Sequence, residues 1–193
     1  MARRDEAELV RAAAGGDRAA QDEIAREYAP RLRKFVALMG VEDVDDVVQE
    51  SLTQALGSLG SFRGQSRFSS WMISVSLNRC RRWHRSRHSR IANAPPSKLD
   101  GADPSLPWRS VLSGLVRKEA AERIERALDK LPPAYREAFV LKHVEGMDFK
   151  EIAELAGITE STARVRAHRG KLLLQADLGK AFATFTGLAS RPD

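Results

Sequence analysis

The chain has 193 residues, with 32 Lys plus Arg against 26 Asp plus Glu and a formal net charge of +6. Its 42% hydrophobic content is enough to bury a core, and its single cysteine, Cys80, permits no internal disulfide, which fits a reducing compartment. No apolar run approaches the roughly 20 residues that a bilayer needs, and the first residues carry no secretory h-region, so a cytoplasmic protein without membrane insertion is expected.

Ala, Leu, Arg and Glu dominate and β-type alternation is scarce, which predicts an all-α fold. A first helix spans Glu6 to Ala14 and stops at Gly15-Gly16. Asp17 caps a second, which runs to Met39 with Ile24, Tyr28, Leu32, Phe35 and Leu38 on one face and a kink at Pro30. A third follows Asp43, where Val44, Val48, Leu52, Ala55 and Leu59 recur at helical spacing. The Gly- and Ser-rich stretch from Gly57 to Ser66 reads as a loop. A fourth helix starts near Ser69, with Phe68, Met72, Val75, Arg79 and Trp83 in one line and Phe68 and Trp83 as core residues.

Four prolines between Ile91 and Ser113 mark a flexible linker. Helices are then expected from Val116 to Lys130 and from Ala134 to Val144, with Leu131-Pro132-Pro133 between them, and the last fifteen residues read as a loosely held tail. The expected architecture is two helical domains, residues 1–90 and 116–178, joined by a linker at 91–115 and followed by a tail at 179–193.

Charge is unevenly spread. Residues 79–117 hold nine basic and two acidic side chains, and Arg79 to Arg90 holds six Arg with no acid. Such a focus points to a polyanionic partner. From Phe62 onward the basic residues interleave with aromatics: Phe62, Arg63, Arg67, Phe68, Trp71, Arg79, Arg81, Arg82, Trp83 and Arg85, with the hydrogen-bonding Ser69, Ser70 and Asn78 among them. Unpaired bases stack on aromatic rings while Arg holds their backbone, so this segment favours single-stranded or opened DNA. Cys80, His84 and His88 stand four apart, but no second cysteine or evident fourth ligand accompanies them. They read as a phosphate-facing or solvated strip rather than a metal site, and no metal or cofactor is expected.

The sharpest signal lies between Phe149 and Ala167. Phe149, Ile152, Ala153 and Ala156 give a short amphipathic helix, Gly157 suits a tight turn, and Thr159 caps the next helix. Ala163 and Ala167 are small enough for close packing, while Arg164, Val165, His168, Arg169 and Lys171 point outward. That face suits a major groove: Arg reaches guanine O6 and N7, Lys a phosphate, and Val a thymine methyl. Gly170 inside this helix is awkward, since glycine costs about 1 kcal/mol there relative to alanine. A second cluster, Glu42 to Glu50, places Asp43, Asp46 and Glu50 on one side of the third helix, a surface for a protein partner bearing basic side chains.

Together these motifs resemble the extracytoplasmic-function (ECF) sigma factors of bacterial RNA polymerase. Asp43-Val44-Asp45-Asp46-Val47-Val48-Gln49-Glu50 is similar to their acidic segment, and Ser61-Phe62-Arg63-Gly64 with Phe68, Trp71 and Asn78 to the loop and helix that follow. Leu131 to Glu137, Glu145 to Ala153 and Thr162 to Arg169 resemble their second domain, from which Ala163, Ala167, His168 and Gly170 depart in detail. The resemblance implies a sigma-2-like domain and a sigma-4-like helix-turn-helix domain. It implies that Asp43, Asp45, Asp46, Gln49 and Glu50 bind the β′ clamp helices of core RNA polymerase, whose β flap is a further contact. It implies that Phe62, Arg63, Trp71, Asn78, Arg79 and Arg82 serve the −10 element, with Phe62 and Asn78 helping to capture a flipped base. Arg164, Val165, His168, Arg169 and Lys171 would face the −35 element, and an anti-sigma factor is a candidate partner. The implied role is a non-enzymatic transcription initiation factor. A stand-alone helix-turn-helix regulator leaves the Phe62–Arg90 segment and the acidic helix unexplained. A metal-dependent enzyme built on Asp43, Asp46 and Glu50 lacks a phosphate-cradling loop and a partnered nucleophile.

Overall fold

The computed structural model describes residues 5–92, 118–179 and 181–183, and every regular element among them is helical. The fold divides into two compact units, the first carrying α1 to α4 and the second α5 to α8, with residues 37–40 grouped with the second. Most of the linker expected at 91–115 lies outside the described residues.

In the first unit, α1 (Glu6–Ala14) and α2 (Arg18–Leu38) meet at Asp17, whose carboxylate accepts the Ala19 and Ala20 amides. Ile24, Tyr28, Leu32 and Phe35 of α2 are buried, as the helical period of the sequence requires. Pro30 lies inside this helix without ending it. α3 (Val44–Gly57) buries Val44, Val47, Val48, Ser51 and Ala55 and packs along α4 (Phe68–Ala92). A single 3-10 turn, Leu59–Ser61, separates them and buries Leu59.

The inward face of α4 is Phe68, Met72, Ile73, Leu77 and Cys80. This differs from the expected line in its second half. Cys80 is fully buried rather than part of a solvated strip, and Trp83 is half-buried rather than core. The side chain of His88 lies outside the described residues. The physical reason is drift: an α-helix turns 100° per residue, so a line drawn through Val75, Arg79 and Trp83 leaves the core that Ile73, Leu77 and Cys80 enter. At the loop end of the unit four rings interlock. Phe68 meets Tyr28 edge-on at 5.3 Å and Phe62 at 5.2 Å, and Trp71 stacks on Phe68 at 5.6 Å. The Tyr28 hydroxyl donates to the Glu6 carboxylate, tying α1 to α2.

The second unit stacks α5 (Lys118–Asp129), α6 (Pro133–His143), α7 (Phe149–Ala156) and α8 (Glu160–Leu178) around Ile124, Leu128, Phe139, Leu141, Ile152 and Leu174. α8 packs most extensively on α6 and next on α7. Its inner stripe is Ala163, Ala167, Gly170, Leu174 and Leu178. A β-carbon on Gly170 would lie 2.8 Å from the Tyr135 carbonyl oxygen and 3.1 Å from the Phe139 β-carbon. The glycine that looked costly is thus a point where α8 comes too near α6 to admit a side chain without a shift. Phe182, in the stretch read as tail, is buried beside Phe139 at 6.3 Å. No helix among the described residues is long and apolar enough to cross a membrane.

Candidate nucleic-acid interface

The helix-turn-helix is built by local chemistry at three junctions. Asp148 and Glu151 form a reciprocal cap at the start of α7: the Asp148 carboxylate accepts the Glu151 amide at 2.7 Å, and the Glu151 carboxylate accepts the Asp148 amide at 2.9 Å. The sequence carries this signal as Asp-x-x-Glu, which helical periodicity alone does not reveal. Gly157 ends α7 in the left-handed region, φ 64°, and lets the Ile158 amide reach back to the Ala153 carbonyl at 3.0 Å. Thr159 then caps α8 through the Thr162 amide at 3.2 Å.

These junctions present one edge of α8 to solvent. Arg164, Val165, His168 and Arg169 are exposed, Val165 by 50%. Lys171 is half-buried and lies near His143, whose imidazole is held below its ordinary value by burial first and then by Lys171 and Lys142. Two aromatics from other helices touch this edge. The Arg164 guanidinium sits 4.4 Å from the centre of the Phe149 ring, and the Arg169 guanidinium donates to the Tyr135 hydroxyl at 3.2 Å. Lys142 also lies over Phe149 at 4.7 Å while donating to the Met147 carbonyl. Spacing along α8 could not reveal these contacts, because Tyr135 and Phe149 belong to α6 and α7. Nor did it reveal Leu172 and Leu173, which are about half exposed at 49% and 47%.

In the first unit, α4 shows two neighbouring faces. Trp71, Asn78 and Arg82 share one, seven and eleven residues apart, close to whole turns. Phe62 leans on Trp71 at 5.5 Å; both rings are half-buried, and Arg63, Asn78 and Arg82 are exposed. The next face opens on α3. Asp43, Asp46, Val47, Glu50, Arg79, Arg82, Trp83 and Ser86 line a groove of about 280 Å³ between the two helices.

Four acids in and beside this groove, Glu42, Asp43, Asp45 and Glu50, are engaged within the unit. Arg79 bridges to Glu50 at 3.3 Å, the Trp83 indole donates to Asp43 at 2.9 Å, Arg33 pairs with Asp45, and Arg87 pairs with Glu42 while lying over Trp83. Arg79 Nε is buried without a hydrogen-bond partner. Asp46, Gln49 and Glu50 stay exposed. Two groups of residues that the motifs separate, the acids of α3 and the arginines of α4, therefore share one surface. Among the described residues, no three His, Cys, Asp or Glu side chains are placed to hold a metal ion.

Comparison with known proteins bears on both units. Residues 24–90 match the family model of Sigma-70 region 2, and residues 121–174 match that of Sigma-70, region 4. The chain is similar to the RNA polymerase sigma factor CarQ of Myxococcus xanthus, 34% identical over 168 residues, which cover 86% of this chain and 92% of CarQ. It is similar as well to the ECF RNA polymerase sigma factor SigM of Mycobacterium tuberculosis, 30% identical over 178 residues, covering 91% of this chain and 86% of SigM. Among solved structures, CnrH in complex with the cytosolic domain of CnrY shares the fold with a TM-score of 0.61 at 24% identity, over 87% of this chain and 93% of that one. RpoE of Bartonella quintana in complex with the anti-sigma factor NepR shares it with a TM-score of 0.62 at 20% identity, over 82% and 98%.

Proposed function

The chain belongs to the ECF sigma factors of RNA polymerase, which act in transcription initiation, and on that premise we propose how its two units divide the work. The second unit reads duplex DNA at the −35 element through Arg164, Val165, His168, Arg169 and Lys171. Arg is suited to guanine edges, Lys to phosphate, and Val165 to a thymine methyl. The observation that carries this assignment is the exposed cationic edge of α8, set at a fixed angle by the Asp148 cap, the Gly157 turn and the Thr159 cap.

The first unit has two tasks. Asp43, Asp45, Asp46, Gln49 and Glu50 meet the β′ clamp helices of core polymerase. Phe62, Arg63, Trp71, Asn78, Arg79 and Arg82 hold the −10 element once its strands part, the aromatics by stacking and the arginines by phosphate contact. Capturing the separated strand biases the opening equilibrium toward the melted state, because only that state offers the bases. The bond-making chemistry then belongs to the polymerase, and this chain contributes position and strand capture. The working domains are residues 1–90 and 116–178, with the linker at 91–115 and the tail at 179–193, whose Phe182 packs back on Phe139 of the second domain. The β flap completes the polymerase contact, and the place of action is the cytoplasm, at the nucleoid once polymerase is bound. Complexes of the fold relatives with CnrY and NepR favour an anti-sigma factor as a further partner.

Transcription in vitro tests the assignment. Core polymerase with this chain should start at discrete positions on a library of genomic fragments, and core polymerase alone should not. Operator-like duplex binding by the chain alone, with no redirection of polymerase, overturns it.

A further inference from the structure

We propose that Phe149 and Tyr135 are positioning residues, which hold Arg164 and Arg169 in the orientation that reads bases and so set base discrimination more than affinity. This inference rests on the assignment of α8 to the −35 element.

The argument begins with entropy. An arginine on an exposed helix edge samples many rotamers, and a bidentate contact to one guanine uses one of them. A carboxylate neighbour would narrow that sampling but would also cancel the charge that draws the side chain to DNA. Among the described residues, no carboxylate pairs with Arg164 or Arg169. Each instead meets an aromatic residue from outside the recognition helix, a ring face at 4.4 Å for Arg164 and a phenol oxygen at 3.2 Å for Arg169. Both contacts order a guanidinium and leave its charge intact.

Phe149 and Tyr135 are themselves well placed for this. Phe149 is the first residue of α7, directly after the Asp148 cap, and Lys142 lies over the same ring. Tyr135 stands in the first turn of α6, where its backbone carbonyl faces Gly170. The closeness permitted by that glycine brings the phenol of α6 within reach of the arginine that precedes it on α8.

The experiment uses the full chain assembled with core polymerase on promoters whose −35 segment is randomised, with transcripts sequenced to give base preference at each position. Arg164→Ala and Arg169→Ala identify the position each arginine reads. Phe149→Leu should reduce the preference at the Arg164 position about three- to fivefold, the order expected for one exposed cation–π contact. Total output and salt dependence should change less than about twofold, since phosphate contacts remain. Phe149→Tyr should restore the preference, and Tyr135→Phe should weaken discrimination only at the Arg169 position. A normal profile for Phe149→Leu overturns the positioning role while leaving DNA reading by α8 intact. Equal loss at every position, with a lowered melting temperature and no rescue by Phe149→Tyr, makes Phe149 merely structural. A wild-type profile flat across the −35 segment overturns both this inference and the assignment beneath it.

Discussion

The α3–α4 groove and the exposed edge of α8 are both dense in charge, and the two surfaces treat that charge differently. Around the groove, Glu42, Asp45 and Glu50 are paired with Arg87, Arg33 and Arg79, and Asp43 accepts from Trp83. On α8 the arginines rest on aromatics, and their charge stays whole. A partner that meets the groove at Glu42, Asp43, Asp45 or Glu50 exchanges internal contacts for new ones, with Asp46 alone among these described acids open to it directly, whereas a polyanion that meets α8 displaces mainly water and counterions. The lesson is that available charge is not the same as counted charge. The groove suits a partner whose own basic groups replace the internal arginines one for one, and the α8 edge suits a phosphate-rich duplex.

The sharpest way to break this comparison is to reverse a charge in the groove. Glu50→Arg sets a cation beside Arg79 and against any basic partner, and like charges across an interface cost several kcal/mol, so assembly with core polymerase should weaken by about a hundredfold or more. A competition binding assay reads this directly. Loss of the pair itself should cost the folded chain only about 0–1 kcal/mol, because the Glu50 side chain is 61% exposed and solvent screens it, although Arg79 is 22% exposed. A large loss of stability would instead make the pair a structural tie.

Next in size is the packing that carries the α8 edge. Gly170→Val should destabilise the second unit by about 2–3 kcal/mol in chemical denaturation, because the new side chain meets backbone and a β-carbon rather than a flexible tip. Gly170→Ala should also destabilise, despite a helix-propensity gain of about 1 kcal/mol. Stabilisation by alanine would mean that α6 and α8 part more easily than their contact suggests. Asp148→Ala removes one half of the α7 cap and should cost about 1 kcal/mol, with a matching loss of −35 recognition if the cap sets the angle of the recognition helix.

The smallest effect is a pH dependence confined to the second unit. His143 prefers its neutral form in the fold, held below its ordinary 6.5 by burial and by Lys171 and Lys142. The unfolded chain therefore takes up the proton more readily. Stability from this group is complete above pH 6.5 and declines as pH falls below that value. Thermal melts between pH 8 and 5 should show the decline, and His143→Leu should flatten it.

Helix existence was legible in the sequence because local rules govern it. The stripe of α2, the Gly15-Gly16 stop and the turn at Gly157 follow from period, propensity and backbone freedom within a few residues. The second half of α4 was misread, because Arg79 and Trp83 keep helical spacing with Met72 while the true core turns toward Leu77 and Cys80. The exposed positions of α8, Arg164, Val165, His168 and Arg169, could be picked out by their type and spacing. Their aromatic supports could not, since Phe149 and Tyr135 lie on other helices and look like ordinary apolar positions in the chain.

Composition, period and motif order were enough to specify two helical modules, a helix with a cationic edge and a helix with an acidic surface, because each arises from residues close together in the chain. Which acids are engaged, why Gly170 is tolerated, and what steadies Arg164 and Arg169 were decided by the tertiary structure alone. Those answers depend on distances between side chains of different helices, and such distances exist only once the helices have packed.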